Sequence, residues 1–318
     1  MKKIKCTVSL LLVSVLIFGL CSCKSKKEPE TTTVADTTTA NNAYVEPTGE
    51  TVTETETVSQ TETSATSAVQ TQPTETQTQP TETQTVTEAV VLTGLETITD
   101  GNKTIVYPAA LRANQARYPV IAWANGTGCP TQLYIKLIEA IANAGYIVVA
   151  DATVMSGDGT AQIDSINYII NKNSDSSSVF YNNVDTVNIG VCGQSQGGRS
   201  CINAAQKDSR IRAVVSIAGA STADEAKGLR VPCLFLTATN DNIVKSDTWC
   251  LPSYNAVAGR AAYASLKGGN HLSFNNMSGY AVDWFNAYLK NDASARAVFE
   301  DGGKLANDSA WQDFCHKN

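Results

Sequence analysis

The sequence predicts an α/β fold for residues 91–318, with a mostly parallel central sheet and helices on both faces. In that region short, continuously apolar runs alternate with helix-compatible runs. This is the pattern of a parallel sheet covered on both sides. The stretch Gly193-Gln194-Ser195-Gln196-Gly197 also falls where one apolar run gives way to a helix-like one. Open α/β sheets carry their sites at such carboxyl ends of strands.

The strand-like runs are Thr104–Tyr107, Val120–Ala124, Tyr146–Ala150, Val187–Cys192, Ala213–Ile217, Leu234–Thr237 and Ala261–Leu266. Each is four to six residues long and rich in small or branched apolar side chains, as a buried strand requires. Gln132 to Ala144 and Gly198 to Gln206 read as helices following two of them.

The G-x-S-x-G stretch reads as a nucleophile elbow: a sharp strand-to-helix turn that projects Ser195, with glycines leaving room on either side. A serine hydroxyl needs a base to take its proton. The chain has two histidines. His316 is third from the C-terminus, where chains fray, so His271, in the glycine-rich loop Lys267–His271, is the expected base. The imidazole needs a carboxylate partner. In the order Ser, acid, His this falls between 195 and 271. Asp241, just after the apolar run Val231–Ala238, is the first choice. Asp247 is the second, and Asp224 and Glu225 lie further back. Two N–H donors must face the developing oxyanion. Gln196 follows the nucleophile and Thr127 sits between Gly126 and Gly128 after an earlier strand, so their amides are the expected pair. Trp123 and Trp249 flank the oxyanion and acid loops and are candidate cleft walls, with core packing as the alternative.

With these residues in place, residues 91–318 resemble the α/β-hydrolase superfamily. They are most similar to the lidless branch that holds dienelactone hydrolases, cutinase-like lipases and polyester hydrolases. The segment Gly219–Arg230 is too short for a helical cap domain, and Asp241-Asn242-Ile243-Val244 looks like the D-x-I-V run of that branch. One departure is Asn125-Gly126, where many relatives carry His-Gly. The resemblance implies a serine esterase acting on short acyl, lipid or polyester substrates. Alternatives are a carbohydrate esterase removing acetyl or feruloyl groups, and a non-catalytic surface binding protein on a hydrolase scaffold.

The N-terminal residues read as an export signal. Residues 1–22 carry a basic start and an apolar run too short for a comfortable membrane span. Leu20-Cys21-Ser22-Cys23 resembles a bacterial lipobox, which makes Cys23 the expected lipidated residue and disfavours Cys21. Residues 23–90 are rich in Thr, Glu, Gln and Pro, with Gln72–Thr78 repeated as Gln79–Thr85. Such a composition buries too little apolar surface to fold and is expected to act as a disordered tether. Its coil length is roughly 40–45 Å. These features place the chain in the bacterial cell envelope, anchored to the membrane by lipid and facing outward.

Of nine cysteines, six lie in the expected catalytic domain. Cys192, Cys201 and Cys233 read as buried small hydrophobes. Cys129 and Cys250 follow two site loops and are a candidate disulfide. No zinc-ligand spacing is present, so no metal is expected. No nucleotide-binding glycine pattern appears, so no cofactor is expected. The formal net charge of −6 with no basic cluster argues against nucleic acid as a partner. The chain is expected to act as a monomer.

Overall fold

The structure is a computed structural model and describes residues 93–113 and 116–318. The expected signal peptide at 1–22, Cys23 and the linker at 23–90 lie outside the described residues. Nine strands form one sheet: β1 (Leu95–Asp100), β2 (Lys103–Pro108), β3 (Tyr118–Ala124), β4 (Ile147–Asp151), β5 (Val184–Gln194), β6 (Ile211–Ile217), β7 (Cys233–Ala238), β8 (Ala261–Leu266) and β9 (Trp311–Lys317). Their order is β1-β2-β4-β3-β5-β6-β7-β8-β9. Strands β4, β3 and β5 to β8 run parallel, whereas β1, β2 and β9 join by antiparallel pairing. This mostly parallel sheet with helices on both faces is the expected α/β-hydrolase arrangement.

Alternation along each strand divides the core in two. Ile121 and Trp123 of β3, Cys192 of β5 and Leu234 and Leu236 of β7 point to one face. There they meet α1 (Ile135–Asn143) through Leu137, Ile138 and Ile141, and the later helix Ser278–Leu289 through Trp284 and Phe285. Val120, Ala122, Val191, Cys233 and Phe235 point to the other face. They are covered by α2 (Thr160–Ser174), α3 (Gln196–Lys207), α4 (Ala223–Ala226) and α5 (Cys250–Ala256). A parallel strand buried on both sides must be apolar at every position, which is why these strands were legible as unbroken runs.

The connection between β6 and β7 holds only α4, a single turn closed by a capping box between Thr222 and Glu225. The absence of a large cap domain is therefore a property of the fold and leaves the carboxyl ends of the strands uncovered by any inserted helical layer.

Seven strands were expected and nine are present among the described residues. The two extra ones, β1 and β9, are edges. Their outward positions are polar and exposed, so neither presents a continuous apolar run. Strand β9 also corrects the expectation of a frayed C-terminus at His316. That residue pairs in register with Ala262, and its Nε2 sits 3.1 Å from Asp301 Oδ1. It lies at the amino end of β8, the opposite end from His271.

Candidate active site

Ser195 stands between the end of β5 and the start of α3 with φ 59° and ψ −121°. A side chain at positive φ is strained, and the surroundings must hold it there. Its N–H donates to the Ile217 carbonyl at 2.9 Å, and its carbonyl accepts from Arg199 and Ala220, each at 3.2 Å. The flanking glycines are a steric requirement. A Cβ on Gly193 would lie 2.4 Å from the Gly197 oxygen, and a Cβ on Gly197 would lie 2.1 Å from the Ala124 oxygen. The turn after β3 is thus pressed directly against the start of α3.

Asp241 follows β7 with its side chain fully buried. Its Oδ1 accepts the N–H groups of Ile243 at 2.9 Å and Val244 at 2.8 Å, and its Oδ2 lies 2.7 Å from His271 Nδ1. The loop after β8 is docked onto the Asp241 loop by Asn240 N–H donating to the Gly269 carbonyl at 2.9 Å. The competing carboxylates are placed elsewhere. Asp247 is exposed and accepts from Thr248 Oγ1. Glu225 is taken by Arg199 and by the cap of α4.

Ser195, Asp241 and His271 all leave carboxyl ends of neighbouring parallel strands, from β5 to β8. Among the described residues no hydrogen bond joins Ser195 Oγ to His271. The Nε2 of His271 instead meets the Gln194 side-chain nitrogen at 3.1 Å. Catalytic hydrogen bonds often form only once substrate is bound.

Thr127 is exposed in the turn after β3, and Gln196 is the first residue of α3. Neither backbone N–H has a partner among the described residues. The first amides of a helix have none within it. Asn125 holds the Thr127 turn in place. Fully buried, it accepts from Trp123 Nε1 at 2.9 Å and donates to the Asp151 carbonyl at 2.9 Å and to Thr131 Oγ1 at 3.1 Å. The Asn125 amide thereby ties β3 to β4.

Two expectations are corrected, the cleft role of Trp123 and the Cys129–Cys250 disulfide. Trp123 is fully buried in the core and donates to Asn125, so it does not line a cleft. Trp249 is half-buried and packs on the α5 side of the sheet. Cys129 and Cys250 are both free thiols, not a disulfide. Cys250 Sγ faces the Gly219 carbonyl, and burial pushes its thiol up to about 12. Cys129 sits instead beside Tyr134.

A cavity of about 310 Å³ lies behind the Asp241 loop, lined by Asp241, Lys245, Asp247, Tyr263 and Asp313. Neither Ser195 nor His271 reaches it, so it is not where a group attacked by Ser195 sits. Among the described residues, four of the six large exposed apolar side chains lie instead on the segments that follow β3, β4, β7 and β8. Leu133 follows the Thr127 turn, Met155 is next to Val154 (which accepts from Gly128 N–H), Ile243 follows Asp241 and Leu272 follows His271. The sequence assigned no site role to these four, nor to Tyr134 and Gln194, whose polar contacts join residues far apart in the chain.

The family model described as PET hydrolase-like matches residues 60–310. The chain belongs to the PET hydrolase-like family. Cutinase 2 of Thermobifida cellulosilytica is 29% identical over 205 residues, covering 60% of this chain and 75% of that protein. Cutinase cut1 of Thermobifida fusca is 29% identical over 205 residues, covering 60% of this chain and 61% of that protein. The family match begins at residue 60, ahead of the domain boundary expected at 91. Membership makes the chain an ester-hydrolysing serine hydrolase of the α/β-hydrolase superfamily. No helix among the described residues is long and apolar enough to cross a membrane.

Proposed function

We propose that this chain hydrolyses carboxylic esters through an acyl-enzyme formed on Ser195. The observation that carries the reading is the Asp241–His271 hydrogen bond of 2.7 Å, on a fully buried carboxylate, together with a serine held at φ 59° in the turn after β5. In this mechanism Ser195 Oγ attacks the ester carbonyl. His271 Nε2 takes the serine proton and later gives it to the leaving alcohol. Asp241 keeps the other ring proton on Nδ1 and stabilises the imidazolium. The amides of Thr127 and Gln196 receive the oxyanion. Water then releases the acyl group by the same path in reverse.

The substrate class we assign is a short-acyl, lipid or polyester ester. Support comes from the uncapped strand ends and from Leu133, Met155, Ile243 and Leu272, which give the site an apolar rim suited to an apolar acyl chain or polymer surface. We also propose that the enzyme is monomeric and works outside the cytoplasm, held to the bacterial membrane by lipid on Cys23 and carried by the tether at 23–90. The lipobox-like Leu20–Cys23 and the tether composition support that placement.

Ser195→Ala tests the chemistry. It should leave the fold intact by circular dichroism and reduce p-nitrophenyl butyrate turnover by about 10³-fold or more. Near wild-type turnover in that variant would refute an acyl-enzyme on Ser195.

A further inference from the structure

Gln194 stands between the first glycine and the serine of the elbow and is buried. Its side-chain nitrogen lies 3.0 Å from the His271 carbonyl oxygen and 3.1 Å from His271 Nε2. A carbonyl oxygen only accepts, so the end of the amide facing His271 is its NH₂. The far end agrees, because Tyr134 Oη donates to Gln194 Oε1 at 2.9 Å. Tyr134 in turn accepts the Gly126 N–H at 3.1 Å. The line of bonds from Gly126 to the imidazole therefore has a single polarity. Its last group is a donor, so His271 Nε2 is the acceptor and the ring proton resides on Nδ1, facing Asp241.

We propose that Gln194 is a positioning residue for the Ser195 reaction: its amide, oriented by Tyr134 and by the His271 carbonyl, holds His271 in the tautomer with its proton on Nδ1 until Ser195 Oγ replaces the amide at Nε2. The proposal rests on the roles assigned to Ser195 and His271 above. The same amide ties the His271 loop to the Thr127 turn through Tyr134 and Gly126. Gly126 has to be glycine for this, since a Cβ there would lie 2.7 Å from both Gln194 Oε1 and Tyr134 Oη. The groups facing the imidazole are Asp241 from the β7 side and Gln194 from β5, with Tyr134 behind Gln194. Burial raises the Tyr134 pKa, with Cys129 beside it adding to the effect, so the phenol stays uncharged. Once Nε2 is protonated the Gln194 donor loses that acceptor and keeps only the carbonyl.

Gln194→Leu and Gln194→Glu, compared with wild type, separate this role from packing. Leu deletes the donor. Glu keeps the size of Gln, but its carboxylate only accepts and draws a proton onto Nε2. We expect kcat to fall about tenfold in the Leu variant and about 100-fold in the Glu variant, with KM within about twofold. A purely structural role lowers kcat in both variants, since Leu loses the amide bonds and Glu buries a charge, but leaves the Nε2 signal of the ring unchanged. The ring itself is read by ¹⁵N NMR of histidine-labelled protein. With two histidines in the chain, His316→Asn leaves one imidazole to observe. Wild type should show an unprotonated Nε2 near neutral pH, and Gln194→Glu a protonated one. If Gln194→Glu does not fold, Tyr134→Phe serves, with an increased Nε2-protonated fraction expected. The proposal is overturned if Glu matches or exceeds Leu in kcat, or if the Nε2 signal is unchanged in the variant read. The NMR signal needs no turnover, so its failure is distinguishable from a failure of the Ser195 mechanism, which Ser195→Ala reports.

Discussion

Asp241 presents one oxygen to two backbone amides and the other to His271. That division fixes the carboxylate in the plane its partner needs. An amide in its place offers an NH₂ to one side or the other, and the imposed tautomer is lost. Asp241→Asn should therefore lower ester turnover by about 10⁴-fold, while Asp247→Asn, an exposed change with only a Thr248 contact, should stay within about twofold. Steady-state kinetics on one soluble ester decides this, and the reverse ranking would move the acid to Asp247. At this scale the sequence was most legible where chemistry restricts residue type. A serine between spaced glycines and a histidine in a glycine loop narrow the choice sharply. Asn125, Tyr134 and Gln194 were not legible. Their bonds depend on which strand ends the sheet brings side by side, and local pattern carries no trace of that. Trp123 misled for a related reason: its place before a site loop said nothing about which face of β3 it occupies.

Among the elements, β4 shows how an interior strand outside the catalytic ones supports the site. Asp151 ends this strand, and its carbonyl receives Asn125, so it braces the Thr127 turn. Its carboxylate pairs with Lys103 of β2, both side chains under 10% exposed, and also accepts from Thr153 N–H at 2.7 Å. Burial alone would raise the Asp151 pKa. The bonds from Lys103 and Thr153 outweigh it and hold the carboxyl below its usual range. A depressed folded-state pKa stabilises the fold above the ordinary carboxylate value, and that stability is lost as pH falls through the folded value. Lys103→Met leaves a buried, uncompensated charge and should cost about 3–5 kcal/mol near neutral pH. The deficit should shrink as the medium is acidified and Asp151 takes a proton. Chemical denaturation at two pH values checks it, and a deficit that does not change with pH would mean that the pair is not ionic. The interior strands were readable because both faces are buried. Edge strands β1 and β9 have one polar side each, and a half-apolar run is hard to tell from a loop.

At the scale of the molecule, the Thr-, Glu-, Gln- and Pro-rich composition of residues 23–90 offers little apolar surface to a core. A chain beginning at Val91 should thus fold and hydrolyse a soluble short ester at the rate of the longer chain. It should also show no jump in activity as substrate passes its aggregation threshold, because α4 is one turn long and cannot act as a lid. Loss of activity on truncation, or a sharp interfacial jump, would count against that division of labour. The central claim is that one serine, driven by His271 and Asp241, carries the acyl group. Mass spectrometry after treatment with a fluorophosphonate tests it most directly. A single adduct should form on the Ser195 peptide, slow markedly in His271→Ala and vanish in Ser195→Ala. An adduct on any other residue, or labelling that survives Ser195→Ala, would contradict the account.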